Sequence, residues 1–273
     1  MRNKLQYMAS QFATVVITGG SSGIGKAFIL QLHSLNKSLF FCNLSRSEPH
    51  FGNLAIALKH VPCHLGEGGA VESAFGEVVR DLPSGRILLI NNSGFGSYGP
   101  FPEPGLDSQL EMIDVNVRAL VELTGHFLPL LRERGGAIIN VASTAAFQPT
   151  PYMATYGAGK AFVLHWSLAL ERDLRETAVR VLALCPGPTA TEFFRRAGFK
   201  ERVVSPGLSQ TPEEVAAAAL RTLARGRRLC VPGWKNRLLV SLAGLLPKTW
   251  VSAAAAVILK RVRLAQLRSE YSE

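Results

Sequence analysis

Tyr156 and Lys160 stand four residues apart in a segment with helical spacing, so their side chains share one face of the helix. A free phenol, with a pKa of about 10, is a poor base at neutral pH. A neighbouring ammonium stabilises the phenolate and is expected to lower that value. Such a phenol can give a proton to a carbonyl oxygen or take one from an alcohol. Ser143 lies thirteen residues before Tyr156, at the end of an apolar run over 137–142. Its hydroxyl would hold the oxygen of a substrate beside the phenol. Alone, a Tyr-x-x-x-Lys pair is an ordinary helix face. Its weight comes from a second element in register with it.

That element is the turn Thr18-Gly19-Gly20-Ser21-Ser22-Gly23-Ile24-Gly25. It follows a β-branched run, 14–18 (TVVIT), and precedes a helical pattern over 24–35. Gly19 permits a tight exit from the strand. Gly23 lets backbone approach a pyrophosphate, and Gly25 allows close packing of helix on sheet. Exposed amides and the helix dipole favour a dianion there. No G-K-[ST] follows, which disfavours a nucleotide-hydrolysing loop.

The elements that must position these groups alternate in type. Apolar runs at 14–18, 39–44, 87–90, 137–142 and 179–184, with a weaker one at 59–65, read as strands. Helical spacing covers 24–35, 71–82, 107–134 and 152–177. Fully apolar strands alternating with helices predict a doubly wound α/β fold, a parallel sheet covered by helices on both faces. Thr211, with Pro212 and Glu214, forms a helix-opening capping box, and 228–231 is a last short strand. We expect one domain over 1–234 and a basic, apolar helical extension over 235–273.

The T-G-x-x-x-G-x-G spacing resembles that of the short-chain dehydrogenase/reductase family. Further matches fall in the family's order: Asn91-Asn92-Ser93-Gly94 resembles its N-N-A-G motif, Asn116, Ser143, Tyr156 and Lys160 match its catalytic tetrad, and Pro186-Gly187 follows the sixth strand. The resemblance covers roughly 14–191, and the PGPTATEF and NNSGFG stretches look most like a bacterial subgroup of broad reductases. It implies a Rossmann-type sheet of about seven strands and hydride exchange with a nicotinamide cofactor, whose oxidised ring would add a second positive charge beside Tyr156. It also implies that Asn116 keeps a water near Lys160, that a homodimer or homotetramer forms through the fourth and fifth helices, and that Ser21, Ser22, Ile24, Asn92, Ser93, Gly94, Thr189 and Thr191 line the cofactor cleft. Gly157 and Gly159 interrupt the Tyr156 helix, and we read them as room for cofactor or substrate.

A carboxylate at the end of the second strand would favour NAD. Asn43-Leu44-Ser45-Arg46 stands there instead. Ser45 can donate to a 2′-phosphate and Arg46 can pair with it, so NADP(H) is expected. After the third strand the family usually has an Asp that meets adenine; here Cys63-His64-Leu65 stands in its place, and His64 is the departure. Phe95, Phe147 and Tyr152 are expected to form an aromatic pocket suited to an apolar ketone, aldehyde or alcohol.

The net charge of +10 bears on location rather than chemistry. Over 1–194 acids and bases balance, so the whole excess falls in 195–273. The tail combines apolar stretches at 238–246 and 251–259 with Arg237, Lys248, Lys260, Arg261, Arg263 and Arg268. It reads either as a subunit interface or lid, or as an amphipathic pair lying on an anionic membrane. No nucleic-acid module is recognisable, and no nucleic-acid partner is expected. The four cysteines form no C-x-x-C pair and are expected as buried free thiols in a reducing compartment. No signal-like segment and no apolar run of about 18 residues is seen, so the protein is expected to be cytoplasmic, with peripheral membrane contact as the alternative. No metal site is expected. A redox-sensing protein on the same fold is the rival to an enzyme; it would not need the Ser143, Tyr156 and Lys160 set.

Overall fold

Alternate residues along the central strands point to opposite faces of one sheet. Val15 and Ile17 join one buried cluster while Val16 joins another. Leu88 and Ile90 divide from Ile87 and Leu89 in the same way. Both sets are almost wholly buried, as a sheet covered on two faces requires.

The computed structural model describes residues 2–198 and 209–270; of side chains beyond Lys260 nothing is described, so Arg261, Arg263 and Arg268 lie outside. In chain order the elements are α1 (Arg2–Ser10), β1 (Phe12–Thr18), α2 (Gly23–Leu35), β2 (Phe40–Ser45), β3 (Leu58–Pro62), α3 (Ala70–Arg80), β4 (Arg86–Asn91), α4 (Leu106–Ile113), α5 (Ala119–Arg134), β5 (Gly136–Val141), α6 (Ala154–Asp173), β6 (Val179–Leu184), α7 (Phe193–Arg196), α8 (Pro212–Ala224), β7 (Leu229–Cys230), α9 (Trp234–Leu245) and α10 (Lys248–Glu270). The strands form one sheet in the order β3-β2-β1-β4-β5-β6-β7, and every pairing is parallel. The order reverses between β1 and β4, and the cleft outside the carboxyl ends of those strands is where such sheets take ligands.

One face is packed by α2 and α8, through Phe28, Ile29, Leu32, Val215, Ala219 and Leu220. The other is packed by α3 and α5, through Val71, Val78, Leu123, Phe127 and Leu131. Thr211 caps α8 with the expected capping box, its hydroxyl accepting from Glu214 N while the Glu214 carboxylate accepts from Thr211 N.

The single helix expected over 107–134 is two helices joined by a π-helical turn, Asp114–Arg118. α1, which contributes buried Met8 and Ala9, was not foreseen. The room expected at Gly157 is filled by protein: a Cβ there would overlap Thr150 Oγ1 and lie 2.9 Å from Thr150 Cβ. That glycine lets the 148–153 loop rest on α6. All four cysteines are free and buried.

Candidate active site

The turn between β1 and α2 leaves its amides available. Ser22 is the N-cap of α2, its side chain makes no cap hydrogen bond, and the first turn holds no acid. Ser21, Ser22, Gly23 and Ile24 line one cavity of about 730 Å³. This is a start without an internal counter-charge, the condition for binding an external anion. Gly19 and Gly23 both have positive φ, +67° and +51°. Gly25 packs helix on sheet, as expected, and is not among the residues that line the cavity. A Cβ on it would overlap the Gly19 carbonyl and lie 2.7 Å from Asn92 Nδ2.

Hydrogen bonds stitch the ends of the inner strands together. Thr18 Oγ1 accepts from Asn92 N and Ser93 N, both at 2.9 Å. Asn92 Nδ2 donates to Thr18 O at 3.0 Å and Gly19 O at 3.1 Å. Gly20 N donates to Asn43 Oδ1 at 2.7 Å, which ties the turn to β2. Thr18 and Asn43 thus position the turn, although neither was singled out for that role.

At the β2 end, the Ser45 hydroxyl donates to Ser47 O at 2.7 Å and accepts from Asn43 Nδ2 at 2.8 Å. Its donor is therefore committed within the loop, against the expectation that it serves a phosphate. Arg46 is exposed on the cavity wall and has no ion-pair partner among the described residues. His64 and Leu65 line the cavity as expected. His64 stands 3.7 Å from both Glu67 and Glu111. Arg118 holds the loop beyond it, donating to the carbonyls of Leu65 at 3.2 Å and Gly66 at 3.1 Å while pairing with Asp114 and Glu122.

The reacting end lies beyond Asn92, Ser93, Gly94 and Phe95, all in the cavity wall. Ser143, Tyr156 and Lys160 meet there. Burial pushes the Tyr156 pKa up to about 12, against the lowering effect of the neighbouring Ser143 hydroxyl. This reverses the expected direction, because loss of water around the phenolate outweighs the lowering effect of Ser143. Burial likewise brings Lys160 down to about 8. Its Nζ donates to Val141 O at 2.8 Å and lies 5.8 Å from the Tyr156 ring centroid.

Asn116, in the π-helical turn, is buried and lies outside the cavity wall. Its carboxamide clamps the backbone of Phe95, accepting from N at 3.0 Å and donating to O at 2.8 Å. Gly94 runs between it and the lysine: a Cβ there would lie 2.8 Å from Asn116 Oδ1 and 3.2 Å from Lys160 Nζ. Both polar groups of the carboxamide are thus engaged with backbone rather than with Lys160.

Two expected pocket residues are elsewhere. Phe147 packs with the cluster of Leu120, Ala146 and Val163. Tyr152 has φ of +64°, and its ring faces Tyr98 with centroids 6.1 Å apart. Their places are taken by Met153 and Phe193, with Gln148 and Thr150. Phe193 lies 5.2 Å from the Tyr156 ring, centroid to centroid. Pro186, Gly187, Thr189 and Thr191 complete the wall. Gly187 is needed for packing, since a Cβ on it would lie 2.5 Å from Asn236 Oδ1.

The cleft suits an elongated ligand with an anionic middle and one cation-seeking end, as a phosphorylated dinucleotide has. Residues 13–201 match the family described as short chain dehydrogenase. Hydroxysteroid dehydrogenase-like protein 1 of Gallus gallus is 30% identical over 250 residues, 87% of this chain and 73% of that protein. Serine 3-dehydrogenase of Rhizobium radiobacter is 33% identical over 186 residues, 66% and 73% of the two. The solved short-chain dehydrogenase from Sphingobium yanoikuyae, in complex with NADPH, has a TM-score of 0.73 and 27% identity, covering 86% of this chain and 95% of that one. With its parallel sheet, its glycine turn and its Ser143, Tyr156 and Lys160 in one cleft, the chain belongs to the short-chain dehydrogenase family of oxidoreductases.

Proposed function

We propose that the protein uses NADP(H) to interconvert an apolar ketone or aldehyde and its alcohol, with Tyr156 as the acid and base. The observation that carries this reading is that Ser143, Tyr156 and Lys160 meet in the wall of the same cavity that begins at the uncapped start of α2. The bound nicotinamide supplies hydride in one direction and accepts it in the other. The amides of 21–24 would take the pyrophosphate, Arg46 the 2′-phosphate, and the 187–191 loop the nicotinamide end.

With a pKa of about 12, Tyr156 is protonated at neutral pH and can act as an acid. Ser143 holds the substrate oxygen and steadies the charge that develops on it. As the phenol gives up its proton, the Lys160 ammonium balances the phenolate, and Val141 O fixes that ammonium in place. Asn116 acts as a positioning residue through Phe95. Around the phenol, Phe95, Met153 and Phe193 are apolar, and Arg46 and Lys160 are the cations lining the cavity among the described residues. Lys160 is committed to catalysis and Arg46 lies at the far end, so a carboxylate substrate finds no partner. Leu106, Leu110 and Ile113 form an exposed stripe on α4, which supports a homodimer or homotetramer.

The test is oxidation of NADPH against a panel of bulky ketones and aldehydes, followed by absorbance. Tyr156→Phe should retain cofactor binding and lose at least about a thousandfold in kcat. A Phe variant as active as the parent refutes the assignment.

A further inference from the structure

We propose that α9 and the first half of α10 form a surface that lies on an anionic lipid bilayer, in the plane of the interface. α9 is amphipathic the wrong way round for a helix on a protein exposed only to water. Its inner side carries buried Asn236 and Ala243. Its outer side carries Trp234, Leu238, Leu242 and Leu245, spaced four, eight and eleven residues from the first, on one stripe. These are 66%, 52%, 48% and 82% exposed. The apolar exposure continues past Pro247 through Trp250, Val257 and Ile258.

These helices are held against the body in this arrangement. Lys248 Nζ donates to Phe147 O at 2.9 Å and Tyr98 Oη donates to Leu259 O at 2.6 Å, so α10 is fixed at both ends of this stretch. Asn236 Nδ2 donates to Gln210 Oε1 at 3.1 Å and Pro232 O at 2.9 Å, which sets the rotation of α9. The apolar stripe therefore cannot roll inward without breaking bonds.

Charge selects the occupant. From Trp234 to Ser269 there is no Asp or Glu and there are seven Lys and Arg. A second copy would set this acid-free segment against itself. A nucleic acid would meet Leu and Trp between the cations. An anionic bilayer satisfies both features: headgroups take the cations and the acyl boundary takes the apolar stripe. Lys235 Nζ stands 5.9 Å from the Trp234 ring centroid, a pairing suited to the headgroup level. No helix among the described residues is long and apolar enough to cross a membrane, so the contact is in-plane.

The experiment is flotation of the full chain with phosphatidylcholine vesicles, with and without phosphatidylglycerol. It reads binding and not turnover, so it stands apart from the catalytic reading. The parent should float with the anionic vesicles, and less at high salt. Trp234→Ser, Leu238→Ser and Leu242→Ser together should lower partitioning about a hundredfold, at roughly half the full-burial contribution per side chain. The melting temperature should stay close to the parent's, because all three side chains are exposed. Lys235→Glu with Arg237→Glu is the second variant and should abolish the preference for anionic vesicles. The proposal fails if the parent does not float, if either variant binds like the parent, or if light scattering shows a dimer that the triple variant dissolves while no vesicle binding is seen.

Discussion

Lys160 is a buried ammonium whose pKa has fallen from 10.5 to about 8, and burial is the cause. That fall corresponds to roughly 3 kcal/mol in favour of the neutral amine in the folded protein. Replacing it with methionine keeps the length and removes the charge. The variant also loses the hydrogen bond to Val141 O, at a cost of about 1–2 kcal/mol. At pH 7, Lys160→Met should therefore be more stable than the parent by about 1–2 kcal/mol, while losing activity.

The pH dependence carries the sign. Between pH 8 and 10.5 the unfolded lysine holds its proton and the folded one does not, so the parent gains stability as pH rises through this window. The buried thiols of Cys42 and Cys185, pushed up to about 12, and of Cys63, pushed up to about 11, act in the opposite sense above pH 9. Those of Cys42 and Cys63 act equally in both proteins and cancel in the difference, and Cys185, which Lys160 lowers, is raised far enough by burial to stay protonated in the folded state of both up to pH 10. Urea denaturation of parent and variant at pH 7, 8, 9 and 10 should show the advantage of the variant shrinking and then reversing. A difference that is constant over this range would refute the buried-ammonium argument.

Arg46→Ala should raise KM for NADPH by about tenfold or more and leave KM for NADH unchanged, because one charge-assisted contact is removed; equal effects on both cofactors would remove Arg46 from the 2′-phosphate. Gly25→Ala should destabilise the fold by several kcal/mol, since its Cβ would overlap the Gly19 carbonyl; thermal melting checks this, and an unchanged Tm is the contrary result. Leu110→Glu, on the exposed stripe of α4, should shift an oligomer to monomer by light scattering without changing the melting profile of the subunit.

The sheet was legible because its inner strands are apolar on both faces, and the ends of β2, β4 and β6 fall within two residues of the runs read from the sequence. α1 was not, because its pattern is weak and Met8 and Ala9 find their partners only in the tertiary fold. The π-helical turn was hidden because no local pattern marks it, and the clamp that its Asn116 places on Phe95 reaches twenty-one residues back along the chain. Phe147 and Tyr152 were placed by nearness in sequence to Ser143 and Tyr156. The left-handed backbone at Tyr152 turns its ring away, and such a conformation is not signalled by a non-glycine residue. Phe193 reaches Tyr156 from beyond β6, where the one available signal was the loop after Pro186-Gly187. The direction of the Tyr156 shift depended on burial, which spacing does not report.

The C-terminal extension and the site's geometry meet at one side chain, Asn236. The expected division between 234 and 235 falls in the first turn of α9, and two residues later Asn236 occupies the space that a Cβ on Gly187 would need. Through Gln210 it also braces the 188–190 backbone, because Gln210 N donates to Pro188 O at 3.0 Å and Ala190 N donates to Gln210 O at 2.9 Å. Removing the extension would therefore strip a support from the loop that carries Thr189 and Thr191, whatever the outer face of α9 does. A loss of turnover on truncation would follow from that alone. Substitution of Trp234, Leu238 and Leu242 separates the two roles, because these side chains project from the face of α9 opposite Asn236 and leave its hydrogen bonds intact.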